Sequence, residues 1–130
     1  MSVNFLSKKM TDHKLLSLKK DLIELQQWQT KLEENHNELE YLSIIQKQIL
    51  KTADIAYAIQ NVRRENTLTL AYLCKYEQSI KNELEYGSGF YDFTAAREHE
   101  TKRFGFINCE KKFFELKINI YKKLSEYSIR

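Results

Sequence analysis

Not one proline occurs in these 130 residues, and glycine occurs only three times. Average usage would place about six or seven prolines in a chain of this length. Proline and glycine are the residues that stop helices and shape tight turns. Valine, which strands favour, is confined to Val3 and Val62. An all-β sandwich, an open α/β sheet with a glycine-rich phosphate loop and a collagen-like fibre all run against this composition. The expectation is an all-α fold, an elongated antiparallel bundle of long helices.

Leu, Ile, Val and Phe supply 36 residues, more than the share of roughly 20% below which chains stay disordered. A packed core is therefore expected, in one domain at this length. The net charge is only +3, without the basic stripe of a dedicated nucleic-acid binder. No apolar run approaches the roughly 18 residues of a membrane span, and residues 1–11 contain no signal-peptide-like stretch. Two cysteines, Cys74 and Cys109, do not make a disulfide framework. The chain reads as a reduced, intracellular helical protein.

Apolar residues recur at helical spacing along most of its length. Residues 1–11 read as an N-terminal segment and 12–130 as the helical domain. Thr11 or Asp12 is suited to cap a first helix, whose stripe is Leu15, Leu18, Leu22, Leu25, Trp28 and Leu32. The stripe weakens at Glu34-Asn35-His36-Asn37, a candidate turn, and Asn37 with Glu40 resembles a capping box. Leu39, Leu42, Ile45 and Ile49 then continue the pattern. Local signals do not decide whether the chain bends there or runs straight.

A second stretch from about Asp54 to Tyr86 carries Ile55, Ile59, Val62, Leu70, Leu73, Tyr76, Ile80 and Leu84, with an interruption at Asn66-Thr67. The strongest breaker is Tyr86-Gly87-Ser88-Gly89-Phe90, where glycine can supply positive φ. A last helix from Asp92 or Thr94 carries Phe104, Ile107, Phe114, Ile118, Tyr121 and Leu124, and Gly105 inside it suggests a close crossing or a local break. Thirteen of the 16 aromatics lie from Tyr57 onward, which predicts a heavier C-terminal core, a subunit interface, or both.

Catalytic and metal-binding patterns are weak. Glu33-x-x-His36 is half of a di-iron bundle site, and no second copy completes it. Glu98-His99-Glu100 places its three side chains about 100° apart on a helix, so a solvated face is expected. Neither cysteine has a zinc partner at ligand spacing, and no phosphate loop, nucleophile elbow or zinc-protease motif occurs. No enzyme and no cofactor is expected. The basic doublets Lys8-Lys9, Lys19-Lys20, Lys111-Lys112 and Lys122-Lys123 are flanked by acids and read as solvated. Arg63-Arg64 adjoins the Val62 stripe and is a candidate for pairing with buried carboxylates or for an interface.

In order along the chain, Asn61-Val62-Arg63-Arg64, Leu70-Ala71-Tyr72-Leu73 and Glu85-Tyr86-Gly87-Ser88 resemble the GINS replication complex. The closest likeness is to the helical domain of its first subunit type, partner of Sld five, one. Phe114, Ile118, Tyr121 and Leu124 are similar to that family's closing helix, and Leu15 to Asn35 to an earlier one. The resemblance covers about residues 12–127. It implies a nuclear structural subunit of the replicative DNA helicase that contacts three other GINS subunits through helix–helix packing. The helicase ring and the cell-division-cycle forty-five protein would be further partners, with DNA met at most indirectly and no membrane. Arg63, Arg64, Tyr72, Leu73, Tyr76, Tyr86 and Gly87 are the positions that match, and the resemblance assigns them to fold and subunit interface.

Three departures accompany it. The family's C-terminal β domain is absent from this sequence, Glu65 stands where the family is often neutral or basic, and the first helix looks abbreviated before Thr11. A Sld-five-type subunit is the alternative within the family. Outside it stand a homodimeric coiled-coil adaptor or chaperone pairing through Leu15 to Leu32, and a metal-binding bundle enzyme.

Overall fold

The computed structural model describes residues 2–87 and 93–127, with side-chain surroundings for 12–87 and 94–127. Three long helices account for nearly all of it: α1 (Ser2–Ile45), α2 (Ala53–Tyr86) and α3 (Phe93–Glu126). At 34 residues each, α2 and α3 run about 51 Å. Cross-helix pairs give the directions. Lys14 meets Glu83 and Gln46 meets Thr52, so α1 and α2 are antiparallel. Tyr76 meets His99 and Glu65 meets Lys112, so α2 and α3 are antiparallel too. The expected all-α antiparallel bundle is what forms.

A seven-residue rhythm explains the packing. On α1 and the turn that continues it the buried positions are Lys14, Leu18, Asp21, Leu25, Trp28, Leu32, Asn35, Leu39, Leu42 and Gln46, alternating spacings of four and three throughout. On α2, Ile55, Ile59, Asn66, Leu73, Tyr76 and Ile80 fall in the same kind of frame. On α3 the buried set is His99, Cys109, Phe113, Leu116 and Ile120. A repeat averaging 3.5 residues keeps each seam facing its neighbours, as in a left-handed coiled coil. The core has two apolar halves. Leu25, Trp28, Leu32, Leu73, Tyr76 and Ile80 dominate one, and Leu39, Leu42, Ile55, Ile59, Phe113, Leu116 and Ile120 form the other. Each fully buried aliphatic side chain contributes about 1.5–3 kcal/mol.

Asn35 and Asn66 sit between the halves. Asn66 Nδ2 donates to the Leu32 carbonyl at 3.1 Å, and the Cys109 thiol lies 3.7 Å from Asn66 Oδ1. Asn35 donates to Glu110 of α3. Polar residues at seam positions cost stability but penalise every register in which they lose their partners.

Several local expectations are corrected. Helix α1 runs from Ser2 through Thr11–Asp12, so neither residue starts it. It also passes straight through Glu34-Asn35-His36-Asn37, and the Asn37–Glu40 capping box is not used. Burial of Asn35 against α3 outweighs the turn-forming tendency of its neighbours. Helix α2 is not interrupted at Asn66-Thr67. Asn66 is held inside, and the Thr67 hydroxyl donates to the Arg63 carbonyl at 3.0 Å.

The first reversal uses neither glycine nor proline. The last turn of α1 widens into a π-helical turn, Gln46–Leu50. Lys51 then takes a left-handed conformation (φ 52°, ψ 40°), donating its N–H to the Gln46 carbonyl at 2.7 Å. The Gln46 side chain clasps the extended Thr52: its Nε2 donates to the Thr52 carbonyl at 2.7 Å, and its Oε1 accepts the Thr52 N–H at 3.2 Å. At the other end, α2 stops at Tyr86, as the breaker predicts. Gly87 has φ −65° and ψ 150°, so it is extended rather than left-handed. A Cβ there would collide with the Glu83 carbonyl, so sterics select glycine. Ser88, Gly89, Phe90 and Asp92 lie outside the described residues, as do the side chains of Lys8 and Lys9. Gly105 breaks nothing and sits in no close crossing, since a Cβ there would meet no atom within 4 Å.

Candidate interaction surface

Helix α3 carries two apolar stripes, and the core takes the one that sequence reasoning passed over. Phe104, Ile107, Phe114, Ile118 and Tyr121 are all exposed, between 47% and 65%, whereas Phe106, Cys109, Phe113, Leu116 and Ile120 face the other helices. Of the expected stripe only Leu124 packs against the core. Both stripes have helical spacing, so periodicity alone does not choose between them. The choice follows from His99 and Cys109, whose bonds to α1 and α2 fix the rotation of α3.

The exposed stripe is long and straight. Its positions are separated by three, seven, four and three residues, the same repeat that the core seams use. Position 111, the remaining one in this frame, holds the exposed Lys111. A face of this kind on one helix differs from the scattered apolar exposure common on protein surfaces. The aromatic bias follows the same division. Tyr57, Tyr72, Tyr86, Phe104, Phe114, Tyr121 and Tyr127 are exposed, while Tyr76 and Phe113 are buried.

Between α2 and α3 lies an open groove of about 410 Å³, lined by Leu68, Tyr72, Leu73, Lys102, Gly105 and Lys112 among others. Gly105, which contributes no side chain, lines it at α3. Lys102 Nζ stands 5.9 Å from the ring centres of both Tyr72 and Tyr76.

The seven positions matched to the GINS pattern do not converge. They spread over about 35 Å of α2, from Arg63 to Gly87. Arg63 pairs at 3.0 Å with Glu40, a carboxylate more than half exposed rather than a buried one, and its Nε is buried without a hydrogen-bond partner. Arg64 is exposed. Tyr72 projects into the groove, and Tyr86 and Gly87 are exposed at the end of α2. Leu73 and Tyr76 belong to the core. The leucines proposed for homodimerisation divide as well. Leu18, Leu25 and Leu32 are buried against α2 and α3 within one chain, so that seam is already occupied.

His99 corrects the expectation of a solvated Glu98-His99-Glu100 face. It is buried, while Glu98 and Glu100 are exposed. Its Nδ1 lies 2.6 Å from the Tyr76 hydroxyl and its Nε2 2.6 Å from Glu24 Oε1, with Asp21 at 3.5 Å. A carboxylate only accepts, so Nε2 donates to it, and in the neutral ring Nδ1 takes the tyrosine O–H. Trp28 stacks on the ring at 5.0 Å. Arg103 reaches Glu24 at 2.5 Å and also bonds Glu100. All three helices meet in this layer. The missed signal is the seven-residue recurrence of His99, Phe106, Phe113 and Ile120.

Burial by itself would raise the Glu24 carboxyl, but hydrogen bonds from His99 and Arg103 hold it below the usual carboxylate range. A depressed folded-state pKa contributes stability that is complete above the unfolded value of about 4.3 and is lost as pH falls through the folded one. Thermal melts between pH 7 and 3 are expected to show Glu24→Gln less stable than the parent at neutral pH, the gap narrowing in acid. Parallel curves would remove Glu24 from the acid response.

Glu33 is exposed on α1, His36 is half-buried, and among the described residues no group of three His, Cys, Asp or Glu could hold a metal ion. Cys109 is buried, and burial pushes its thiol up, away from the reactive thiolate. Cys74 is exposed, 3.9 Å from Gln29 Nε2. No helix among the described residues is long and apolar enough to cross a membrane. Compared with known proteins, the chain matches no family model, no curated protein and no solved structure.

Proposed function

We propose that this chain is an assembly scaffold that holds partners through helix–helix packing and performs no catalysis of its own. The observation that carries this reading is the exposed heptad stripe of α3, from Phe104 to Tyr121. Five large apolar side chains in one frame remain in water when the chain is alone, and covering them is what such a face is built for. The buried polar layers support the same reading. They keep α3 at one rotation, so the stripe is presented as a fixed surface.

A more specific version makes the chain a GINS-type subunit, nuclear and part of the replicative helicase, with three related subunits as partners. Its support is the ordered set Arg63-Arg64, Ala71-Tyr72-Leu73 and Glu85-Tyr86-Gly87-Ser88, of which Arg64, Tyr72, Tyr86 and Gly87 are exposed. Co-expression with the three other GINS-type subunits of the same organism, followed by light scattering, tests it. A single 1:1:1:1 species is the expected result. Separate peaks for this chain and the others would leave the general scaffold reading and remove the GINS version.

A further inference from the structure

We propose that the outer face of α3 docks against the same face of a second copy of this chain, with the two α3 helices antiparallel. The inference rests on the scaffold reading and names the partner. The charges along the stripe select both the partner and the direction.

The seam positions are Phe104, Ile107, Lys111, Phe114, Ile118 and Tyr121. In a parallel pair each residue meets itself, which sets Lys111 on Lys111 in the middle of an apolar seam. Flanking residues in a parallel pair meet five positions apart. Glu110 then faces the partner's Glu115, and Lys117 faces the partner's Lys122. Every one of these meetings is between like charges, which is how wrong pairings are rejected.

The antiparallel pair reverses each of them. Phe104 packs on the partner's Tyr121, Ile107 on the partner's Ile118, and Lys111 on the partner's Phe114. An ammonium over an aromatic face is favourable, so the one charge in the seam acquires a suitable neighbour. On one flank Glu110 now meets the partner's Lys117, twice by symmetry. On the other, Asn108 meets the partner's Glu115, an amide donor beside an acceptor. Within one chain Glu110 accepts from Asn35, and Lys117 lies 3.0 Å from Glu38. Each edge charge therefore has a partner on α1 of its own chain, which the second copy would share.

The stripe spans about 26 Å, and two copies would bury on the order of 1,000 Å², the low end of specific interfaces. Among the described residues of α1 no equivalent face occurs. There the exposed Leu16, Ile23 and Ile44 share a seven-residue frame with Thr30 and Asn37, which break it.

Disulfide trapping in the full chain tests both the partner and the direction. The background is Cys74→Ser, which removes the exposed thiol and leaves the buried Cys109. Ile107→Cys, Ile118→Cys and the double variant are oxidised mildly and run on non-reducing gels. In the antiparallel pair residue 107 lies about 16 Å along the seam from its own copy, beyond disulfide reach, but beside residue 118 of the partner. Only the double variant is expected to give a covalent dimer. Dimers from either single variant would overturn the antiparallel arrangement. No dimer from any of them, with light scattering giving 15.6 kDa for the parent chain, would overturn the second copy as partner. A parent chain that is monomeric alone yet joins a complex on co-expression would leave the scaffold function standing without this inference. Circular dichroism confirms that each variant remains helical, as exposed positions require.

Discussion

His99→Ala is expected to lower stability by about 3–5 kcal/mol, a fall of about 10–20 °C in Tm for a domain of this size. The loss has three parts. A void opens beneath Trp28, which stacks on the imidazole at 5.0 Å. The Tyr76 hydroxyl, itself buried, loses its 2.6 Å partner on the ring. Glu24 loses one of the two bonds that hold its carboxylate. Such a sum is a large part of the 5–15 kcal/mol that ordinarily separates folded from unfolded states. His99→Phe refills the volume and keeps the stacking on Trp28 but restores neither hydrogen bond, so it should recover about half. Denaturant titration of the three proteins gives the comparison. If His99→Ala costs under about 1 kcal/mol, the layer does not lock the helices as described.

Asn37→Pro is expected to destabilise by about 3 kcal/mol or more, while Asn37→Ala is neutral or slightly stabilising. Asn37 is exposed, so neither change disturbs packing directly. A proline inside α1 removes one backbone hydrogen bond and presses its ring against the carbonyl four residues earlier. Were the chain to turn at Glu34–Asn37, proline would be tolerated there. Thermal melts therefore discriminate directly between the continuous helix and the turn that local signals leave open.

These two substitutions mark where sequence reasoning stopped. The ends of α2 were legible almost to the residue, from Asp54 against an observed start at Ala53 to the end at Tyr86, though not its continuity through Asn66-Thr67. Its apolar frame is nearly unambiguous, and all eight stripe residues are buried or half-buried. On α1, the turn-prone run at Asn35 and Asn37 left the course of the chain open, because the role of Asn35 is set by Glu110 of α3. A single-chain pattern contains no such information. On α3 the two stripes compete at equal periodicity, and the deciding contacts are long-range ones between His99 or Cys109 and the other helices. The polar members of the seam were missed for the same reason. Lys14, Asp21, Asn66 and His99 look like solvated residues unless a strict seven-residue count is imposed on top of apolarity. The exposed stripe was legible as a stripe, but its spacing left open whether it faces the core or a partner.

The Gln46–Thr52 clasp also shapes how the chain finds its fold. Only six positions separate the two residues, so closing this loop costs an unfolded chain little entropy. The side-chain amide holds the extended residue by two hydrogen bonds, and the adjoining Leu42 and Ile55 are already near one another in sequence. The α1–α2 hairpin can thus zip outward from its tip, with each added layer close at hand, as in helical chains of low contact order. Helix α3 also follows α2 after a short connection, and it must pack in one register to satisfy His99. The short closure at the clasped end favours speed, and the histidine layer favours accuracy of register.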